Sequence, residues 1–198
     1  MRRQNSPLIA CLLLGLFLIT HGSVSGAEEP AWSLEHMMKQ WQSTGERHTR
    51  FTEVRELALL EQPIQQTGTL VFQPPDRLIR TLSPPSDTRY EIEGNRLILW
   101  QGAQQQTLLL DNLPELLAFS ASFRSVLGGD IETLNTFFTP KLSGDHTAWT
   151  LTLDPKQKEL AAKIPQIEID GREFEINRYR VIETNGDQII THLTPIQE

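Results

Sequence analysis

The sequence "GTLVFQPPDRLIRTLSPPSDTRYEIEG", residues 68–94, alternates apolar and polar side chains around two double-proline turns. A period of two is typical of strands that bury one face, and Pro74-Pro75 and Pro84-Pro85 separate three such segments. The stretch contains no cysteine, no histidine and no plausible nucleophile. It therefore predicts part of an antiparallel sheet in which an apolar face, rather than a reactive group, is the main feature.

Strand-like segments continue on both sides of this stretch. A short amphipathic helix is predicted at residues 32–42, and strand character begins at Phe51. Further alternating segments are Leu97–Trp100, Leu108–Leu110, Trp149–Leu153, Ile164–Ile169, Phe174–Ile182 and Gln188–Leu193. A brief helix is predicted after Pro155. Short strands separated by turn residues at this spacing predict an antiparallel meander.

The centre of the chain has helical periodicity instead. Pro114 and Glu115 suit the first turn of a helix, and Gly128-Gly129 ends it. Its apolar residues recur at steps of three and four and are Leu116, Phe119, Phe123 and Leu127. Asp130 is a suitable N-cap for a second helix, which Pro140 stops. The apolar residues of that second helix are Ile131, Leu134, Phe137 and Phe138.

The order of these elements predicts the fold class. One helix, about five strands, two helices and about four further strands form an α+β protein. We expect one strongly bent antiparallel sheet with the helices packed on a single face. Such a bent sheet leaves room for a cavity between its concave side and the helices. A plain closed core is the alternative interpretation of the same apolar residues.

The first 27 residues have the features of a secretory signal peptide. Two arginines precede the uncharged segment Leu8–Ile19, and small residues follow up to Ala27. Twelve apolar residues are too few to span a bilayer as a helix, which needs about 20. We expect cleavage after Ala27, a single domain at residues 28–198 and export to the periplasm. A lipobox ending at Cys11 is the less favoured alternative, because the apolar core follows this cysteine.

The charge and the cysteine content limit the possible partners. The segment up to Ala27 holds two arginines and no acidic residue, so its removal changes the formal net charge from −7 to −9. An acidic surface disfavours nucleic acid and anionic membranes as partners. The single cysteine is lost with this segment, so the domain depends on its core and not on disulfides. We expect a monomer that needs no metal or other cofactor.

Side chains that could support catalysis are present but poorly placed. The four histidines left after residue 27 are not spaced as metal ligands. Glu91 and Glu93 share a strand face, which we interpret as solvated rather than as an acid–base pair. Ser120 and Ser122 lack the Gly-x-Ser-x-Gly elbow of a hydrolase. The sequence favours a protein that is not an enzyme, and an esterase using one of these serines is the enzymatic alternative.

Three segments carry motifs that occur together in one known family. Phe51-Thr52-Glu53 is similar to a Phe-Thr-Gln motif near the start of the family's first strand. Gly68-x-Leu70 and Pro75-Asp76-x-Leu78 are similar to its Gly-x-Leu and Pro-Asn-x-Phe hairpin, and Tyr90–Leu97 is similar to its next strand. Over most of residues 28–198, the chain thus resembles the periplasmic outer-membrane lipoprotein carriers of the LolA-like superfamily.

This resemblance implies an unclosed half-barrel with the helices as a lid over a cavity that binds acyl chains. The residues expected to line that cavity are Leu70, Phe72, Leu78, Ile92, Leu116, Phe119, Phe123 and Leu127. The resemblance also implies acylated lipoprotein or lipid cargo, an inner-membrane transporter or exporter as donor, and an outer-membrane acceptor. The family often has a basic residue that helps to latch the lid at the position of Pro74, and an aromatic residue at that of Leu78.

We therefore predict a lipid-binding periplasmic chaperone that carries acylated cargo from the inner towards the outer membrane. At about 0.8 kcal/mol per CH₂, one sixteen-carbon chain loses roughly 12 kcal/mol on entering water, so such cargo needs a carrier. The cargo itself, lipoprotein or else lipid or glycolipid, stays open. The alternative functions are a lipid-sensing regulatory module and an envelope-assembly module of the same fold.

Overall fold

A computed structural model describes residues 32–196. The signal-peptide prediction for residues 1–27 and the alternative at Cys11 lie outside the described residues. The elements are α1 (Leu34–Ser43), β1 (Arg47–Glu56), β2 (Ile64–Gln73), β3 (Arg77–Leu82), β4 (Thr88–Glu93), β5 (Arg96–Gln101), β6 (Gln104–Leu109), α2 (Pro114–Gly128), α3 (Ile131–Phe137), β7 (Phe138–Asp145), β8 (Ala148–Pro155), α4 (Lys158–Ala161), β9 (Gln166–Arg172), β10 (Glu175–Ile182) and β11 (Gln188–Pro195). Each helix in this part of the chain is too short or too polar to cross a membrane.

All eleven strands form one antiparallel sheet in the order β6-β5-β4-β3-β2-β1-β11-β10-β9-β8-β7. β1 and β11, the first and last of the described strands, pair at the centre of the sheet, where Phe51 lies opposite Leu193. β6 and β7 are the two edges, so the sheet is unclosed. Because α2 and α3 connect these two edges along the chain, they cross the inner face of the sheet. The predicted α+β class, an unclosed antiparallel sheet with helices on one face, is confirmed.

Close packing at the centre of the sheet requires glycine at position 68. Gly68 lies opposite Phe51 on the neighbouring strand. A Cβ at this position would clash with the carbonyl oxygen of Thr81 and would lie 2.8 Å from the Phe51 ring. The ring therefore packs directly against the backbone of β2, which explains why a glycine begins the Gly-x-Leu motif.

The first helix packs against the end of the second. Ser33 caps α1 by accepting a hydrogen bond from the backbone N–H of His36 at 3.2 Å. The side chains that α1 buries are Met37, Met38 and Trp41. Gly129 ends α2 with a φ of 68°, and a Cβ there would clash with the carbonyl oxygen of Met38. Glycine thus provides both the left-handed conformation and the close contact between the two helices.

The part of the sheet formed by β7, β8 and β9 covers a filled core. Its most buried inward side chains, each at most 1% exposed, are Phe138, Leu151, Leu153, Ile167 and Ile169. Trp41 of α1 extends this core, where its indole N–H donates to the carbonyl oxygen of Phe174 at 2.8 Å and its ring lies 5.7 Å from that of Trp149. The remaining part of the sheet is packed less completely.

Two predicted boundaries were wrong. The helical pattern predicts Phe138 as a residue of the second central helix, but α3 ends at Phe137 and Phe138 begins β7. Pro140 lies within β7 opposite Leu153 and does not simply end a helix. Proline is tolerated there because β7 is an edge strand and one side of it donates no hydrogen bonds to the sheet. Within residues 32–196, six strands precede the central helices and five follow them, instead of about five and about four.

Candidate ligand-binding cavity

A cavity of about 310 Å³ lies between α2 and the half of the sheet that contains β1–β5, β10 and β11. Its volume is at the lower end of small-molecule sites, which span roughly 300–1,000 Å³. The apolar side chains of its wall are Phe51, Leu70, Leu78, Tyr90, Ile92, Leu97, Leu116, Phe119, Phe123, Tyr179, Ile189 and Leu193. Five polar residues complete the lining: Glu53, Arg55, Gln66, Arg80 and Thr191.

The structure brings most of the candidates from the sequence together. The lining residues among them are Leu70, Leu78, Ile92, Leu116, Phe119 and Phe123. Phe72 and Leu127 do not line the cavity and lie in the core at 1% and 7% exposure. The Phe72 ring packs against the end of α2, 3.1 Å from the position of a Cβ on Gly128. Leu127 lies one helical turn beyond Phe123. Binding of an acyl chain by the six lining residues stays a prediction.

Tyr179 of β10 lies beneath α2 and joins the helix to the sheet. The rings of Phe119 and Phe123 lie edge-on to the Tyr179 ring, with centroid distances of 5.4 and 4.8 Å. The Tyr179 hydroxyl is 2.8 Å from the Ser122 hydroxyl. Burial raises the pKa of Tyr179 well above its ordinary value, and the hydrogen bond with Ser122 opposes this only in part. The phenol is therefore neutral and serves as a fixed packing surface.

The two serines of α2 are placed for helix packing. Ser120 and Ser122 are both 0% exposed. The Ser120 hydroxyl donates to the carbonyl oxygen of Leu117 at 3.0 Å, and that of Ser122 lies 2.7 Å from the carbonyl oxygen of Phe119. Within residues 32–196, neither hydroxyl bonds a histidine or a carboxylate that could activate it as a nucleophile. This geometry gives the esterase alternative no support.

A charged cluster in the cavity wall was missed by the sequence interpretation. Glu53 is 2% exposed and accepts hydrogen bonds from Arg55 Nε at 2.7 Å and Thr191 Oγ1 at 3.1 Å. Its second oxygen also lies 2.9 Å from Arg80 Nη1. Burial alone would raise the pKa of Glu53, but the hydrogen bonds and positive charges of Arg80 and Arg55 lower it below the ordinary value. The Glu53 carboxylate is therefore ionised at neutral pH, and one side of the cavity is charged.

The strand alternation contains the signal that could have found this cluster. Glu53 follows Phe51 at a step of two, so both side chains lie on the same face of β1. Arg80 lies between Leu78 and Leu82 at the same step on β3. Because Leu78 faces inward, Arg80 has to face inward as well. A charged residue at an inward position is informative because it has to be compensated or used.

Arg124 attaches α2 to the rim of the sheet. Its Nη1 donates to the carbonyl oxygens of Asp76 and Gly94, each at 3.1 Å, and lies 3.5 Å from the Asp76 carboxylate. That carboxylate accepts a hydrogen bond from the Gly94 N–H at 3.0 Å. The helix is thus connected to the β2–β3 and β4–β5 turns.

The predicted solvated face at Glu91 and Glu93 is correct only for Glu93, which is exposed. Glu91 is 7% exposed and forms ion pairs with Arg77 at 2.6 Å and Arg89 at 2.8 Å. It alternates with the cavity residue Ile92 and so lies on the opposite face of β4. In the part of the chain that the structure describes, no three His, Cys, Asp or Glu side chains are grouped closely enough to hold a metal ion.

Comparisons with known proteins agree with the fold. The model of the family described as "Outer membrane lipoprotein carrier protein LolA-like" matches residues 27–195. The chain belongs to this family. This membership confirms the resemblance that the motifs at Phe51, Gly68 and Pro75 predict. It also places the chain in a family of lipoprotein carriers, which are typically not enzymes. No curated protein matches the chain in sequence.

Several solved structures are similar to this LolA-like chain at low sequence identity. A LolA superfamily protein from Nitrosomonas europaea has a TM-score of 0.47 and 10% identity, with 85% of this chain and 95% of that one covered. A putative outer membrane lipoprotein-sorting protein domain from Vibrio parahaemolyticus has a TM-score of 0.49 and 8% identity, with 83% and 93% covered. The MucA/MucB complex of Pseudomonas aeruginosa has a TM-score of 0.43 and 12% identity, with 83% of this chain and 56% of that one covered.

Proposed function

We propose that this LolA-like protein is a periplasmic carrier that binds the acyl chain of lipoprotein or lipid cargo and moves the cargo from the inner towards the outer membrane. The observation that supports this proposal is the apolar cavity of about 310 Å³ between α2 and the sheet. The side chains proposed to contact the acyl chain are Leu70, Leu78, Ile92, Leu116, Phe119 and Phe123.

The energetics of acyl chains favour a site of this kind. An acyl chain loses about 0.8 kcal/mol per CH₂ when it enters water, so a long chain needs cover while it crosses an aqueous compartment. The cavity offers this cover through aliphatic side chains of the sheet and two phenylalanine rings of α2. A carrier of this kind needs no catalytic group, which agrees with the buried, backbone-bonded hydroxyls of Ser120 and Ser122.

The second helix is proposed to act as the lid. α2 carries three of the six proposed acyl contacts and is held to the rim of the sheet by Arg124. Release of that attachment would widen the space between the helix and the sheet. Cargo with more than one acyl chain would need such widening, because the cavity volume is at the lower end of ligand sites. The proposed donor is an inner-membrane transporter or exporter, and the proposed acceptor is at the outer membrane.

Displacement of a fluorescent fatty-acid probe tests the proposal. Leu78→Glu introduces a charge into the cavity wall, so probe binding should be lost while the protein remains folded. Leu109→Glu is the matched control, because Leu109 lies on the edge strand β6 and is 51% exposed. Wild type and Leu109→Glu should bind the probe equally, and thermal melting should show a folded state for all three proteins. Absence of probe binding by the wild type would exclude an acyl carrier, as would full binding by Leu78→Glu.

Native mass spectrometry of the protein purified from its own periplasm provides a second readout. A carrier should retain a lipid or an acylated polypeptide at about one copy per protein. The mass of that adduct would also distinguish lipoprotein cargo from lipid or glycolipid cargo. Preparations free of any acylated adduct, combined with normal probe binding, would favour a sensor that is empty at rest over a carrier.

A further inference from the structure

Arg80 is a charged residue of the cavity wall that uses only part of its hydrogen-bonding capacity. Its Nη1 lies 2.9 Å from a carboxylate oxygen of Glu53. Its Nε and Nη2 are shielded from solvent and have no hydrogen-bond partner among residues 32–196. Buried donors without partners are rare in folded proteins, because they lose their hydrogen bonds to water without replacement. The free N–H groups of Arg80 therefore call for an acceptor that the chain itself does not supply.

Two outward-facing arginines of the same sheet have a partner for every guanidinium nitrogen, whereas Arg47 of β1 and Arg124 of α2 each have one shielded nitrogen, Nε, without a partner. Arg180 donates from Nε and Nη2 to Gln188 and from Nη1 to Glu168, so all three nitrogens have partners. Arg77 is similar, because its Nε and Nη2 contact the Glu91 carboxylate and its Nη1 donates to the Gln73 side chain. Both residues lie on the face of the sheet opposite the cavity, where they alternate with inward residues. Arg80, which lines the cavity, differs from them in keeping two nitrogens unpaired.

Two contacts hold the Arg80 guanidinium when no ligand is bound. The carbon at the centre of its guanidinium lies 4.4 Å from the centroid of the Phe51 ring, a cation–π contact. The ion pair with Glu53 holds the group from another side. The Phe51 ring is itself packed against the backbone at Gly68. Because Nε and Nη2 are shielded in this position, the guanidinium has to turn over the Phe51 ring before a ligand oxygen can bond them.

The charges at this end of the cavity do not cancel. Glu53 contributes one negative charge, and Arg55 and Arg80 contribute two positive charges, so the charged lining residues sum to one positive charge. Leu70 and Tyr90, which lie on either side of Arg80 in the sheet register, both line the cavity. A ligand that fits this arrangement has an apolar chain and, next to it, a negatively charged group with acceptor oxygens.

We propose that Arg80 binds the anionic oxygen head of an acyl ligand, a carboxylate or a phosphate, while its chain fills the cavity. This inference rests on the proposed carrier function and specifies its ligand class. Anionic oxygens are the natural partners of free guanidinium N–H groups, since charge-assisted hydrogen bonds are stronger than neutral ones. The charged end of the cavity thereby selects amphiphiles with a negative head over neutral acyl esters or alcohols.

A series of ligands with one chain length and different heads tests this inference. Dodecanoate, dodecyl phosphate, 1-dodecanol and dodecylammonium are compared at pH 7.5 by displacement of the neutral probe N-phenyl-1-naphthylamine. The wild type should bind the two anions at least about tenfold more tightly than the alcohol, and the cation least tightly. Arg80→Met should bind the alcohol as the wild type does and should lose the preference for anions. Arg180→Met is the matched control and should keep that preference.

Glu53 needs separate attention, because Arg80→Met leaves its carboxylate with one fewer partner. The double variant Arg80→Met/Glu53→Gln removes this imbalance and should fold even where the single variant does not; it should also lack the preference for anions. A difference between dodecanoate and dodecyl phosphate would identify which head fits better. If the wild type binds all four ligands equally, or the Arg80 variants retain the preference, the anion site is refuted while the carrier stands. If the wild type binds none of them, the carrier proposal fails as well.

Discussion

The hydroxyl groups of Ser122 and Tyr179 lie 2.8 Å apart and join the middle of α2 to the inner face of the sheet. Ser122 is 0% and Tyr179 1% exposed, so the hydrogen bond is shielded from water. Phe119 and Phe123 flank it and pack edge-on against the Tyr179 ring. This polar contact and the two aromatic contacts thus hold α2 against the sheet beside the cavity.

Replacing Ser122 with alanine should lower the free energy of unfolding by about 1–3 kcal/mol, because the Tyr179 hydroxyl would lose a buried partner. Denaturant unfolding measures this loss. In the double variant with Tyr179→Phe, the loss should be smaller than the sum of the two single losses, since both changes remove the same bond. Ser120→Ala, whose hydroxyl bonds only its own helix, should have little effect. Additive losses for Ser122 and Tyr179 would show that the two hydroxyls are not coupled.

Replacing Arg124 with glutamine should loosen the attachment of α2 to the rim of the sheet. The guanidinium bonds to the carbonyl oxygens of Asp76 and Gly94 would be lost, and with them the ion pair with Asp76. We expect a stability loss of about 1–3 kcal/mol and a release rate of a bound fatty-acid probe that is several times faster. Stopped-flow release into an excess of unlabelled fatty acid measures the rate.

Arg96→Gln is the matched control for this release experiment. Arg96 is 60% exposed, and its partner Glu93 lies 3.6 Å away on the surface, where an ion pair contributes little. Its replacement should change neither the stability nor the release rate. An unchanged release rate for Arg124→Gln would mean that α2 does not have to move when a ligand leaves the cavity.

Much of the fold could be predicted from local patterns, because each element obeys the rule for its own type. Pro114 begins α2, and the Asp130 side chain caps α3 by accepting from the Thr133 N–H at 2.9 Å. The prediction failed where tertiary context overrides a local signal. Pro140 indicates a break in isolation, yet it is tolerated in β7 because that strand is an edge. Whether a strand is an edge is decided by the whole sheet.

The cavity could be predicted only in its apolar part. The strand and helix periods predict that Leu78 and Phe123 face inward, and both line the cavity in the structure. Phe72 follows the same alternation, but the end of α2 lies against its ring, which no local pattern indicates. The pairing of Glu53 with Arg80 joins strands β1 and β3, which are not neighbours in the sheet. The alternation within each strand indicates that both residues face inward, but it does not indicate that two non-adjacent strands bring them together.

The Glu53 cluster should make the protein sensitive to acid. Burial would raise the pKa of Glu53, but Arg80 and Arg55 lower it below its ordinary value of 4.5 in the folded state. As the pH falls, the unfolded chain binds this proton first, so the contribution of Glu53 to stability is present above about pH 4.5 and is lost progressively below it. Glu53→Gln should weaken this part of the pH dependence. Urea unfolding between about pH 3 and pH 7 checks it; parallel curves for both proteins would contradict it.

Phe119 provides the most direct test of whether α2 covers an open cavity or a closed core. Its side chain is only partly buried and borders the cavity, so truncation enlarges an existing space. In a closed core, Phe→Ala costs about 3–5 kcal/mol. We expect a smaller loss for Phe119→Ala, about 1–2 kcal/mol from the lost transfer of its methylene and ring surface, together with weaker binding of the fatty-acid probe.

Phe123→Ala and Phe137→Ala distinguish effects on stability from effects on probe affinity in this experiment. Phe123 is 7% exposed and packs closely on Tyr179, so its truncation should reduce both the stability and the affinity for the probe. Phe137 of α3 is partly buried but lies outside the cavity, so its truncation should reduce the stability alone. Thermal melting and probe displacement measure the two effects on each variant. A loss of 3 kcal/mol or more for Phe119→Ala, with probe affinity unchanged, would assign Phe119 to a closed core. A residue that contacts the ligand should instead weaken probe binding when its side chain is truncated.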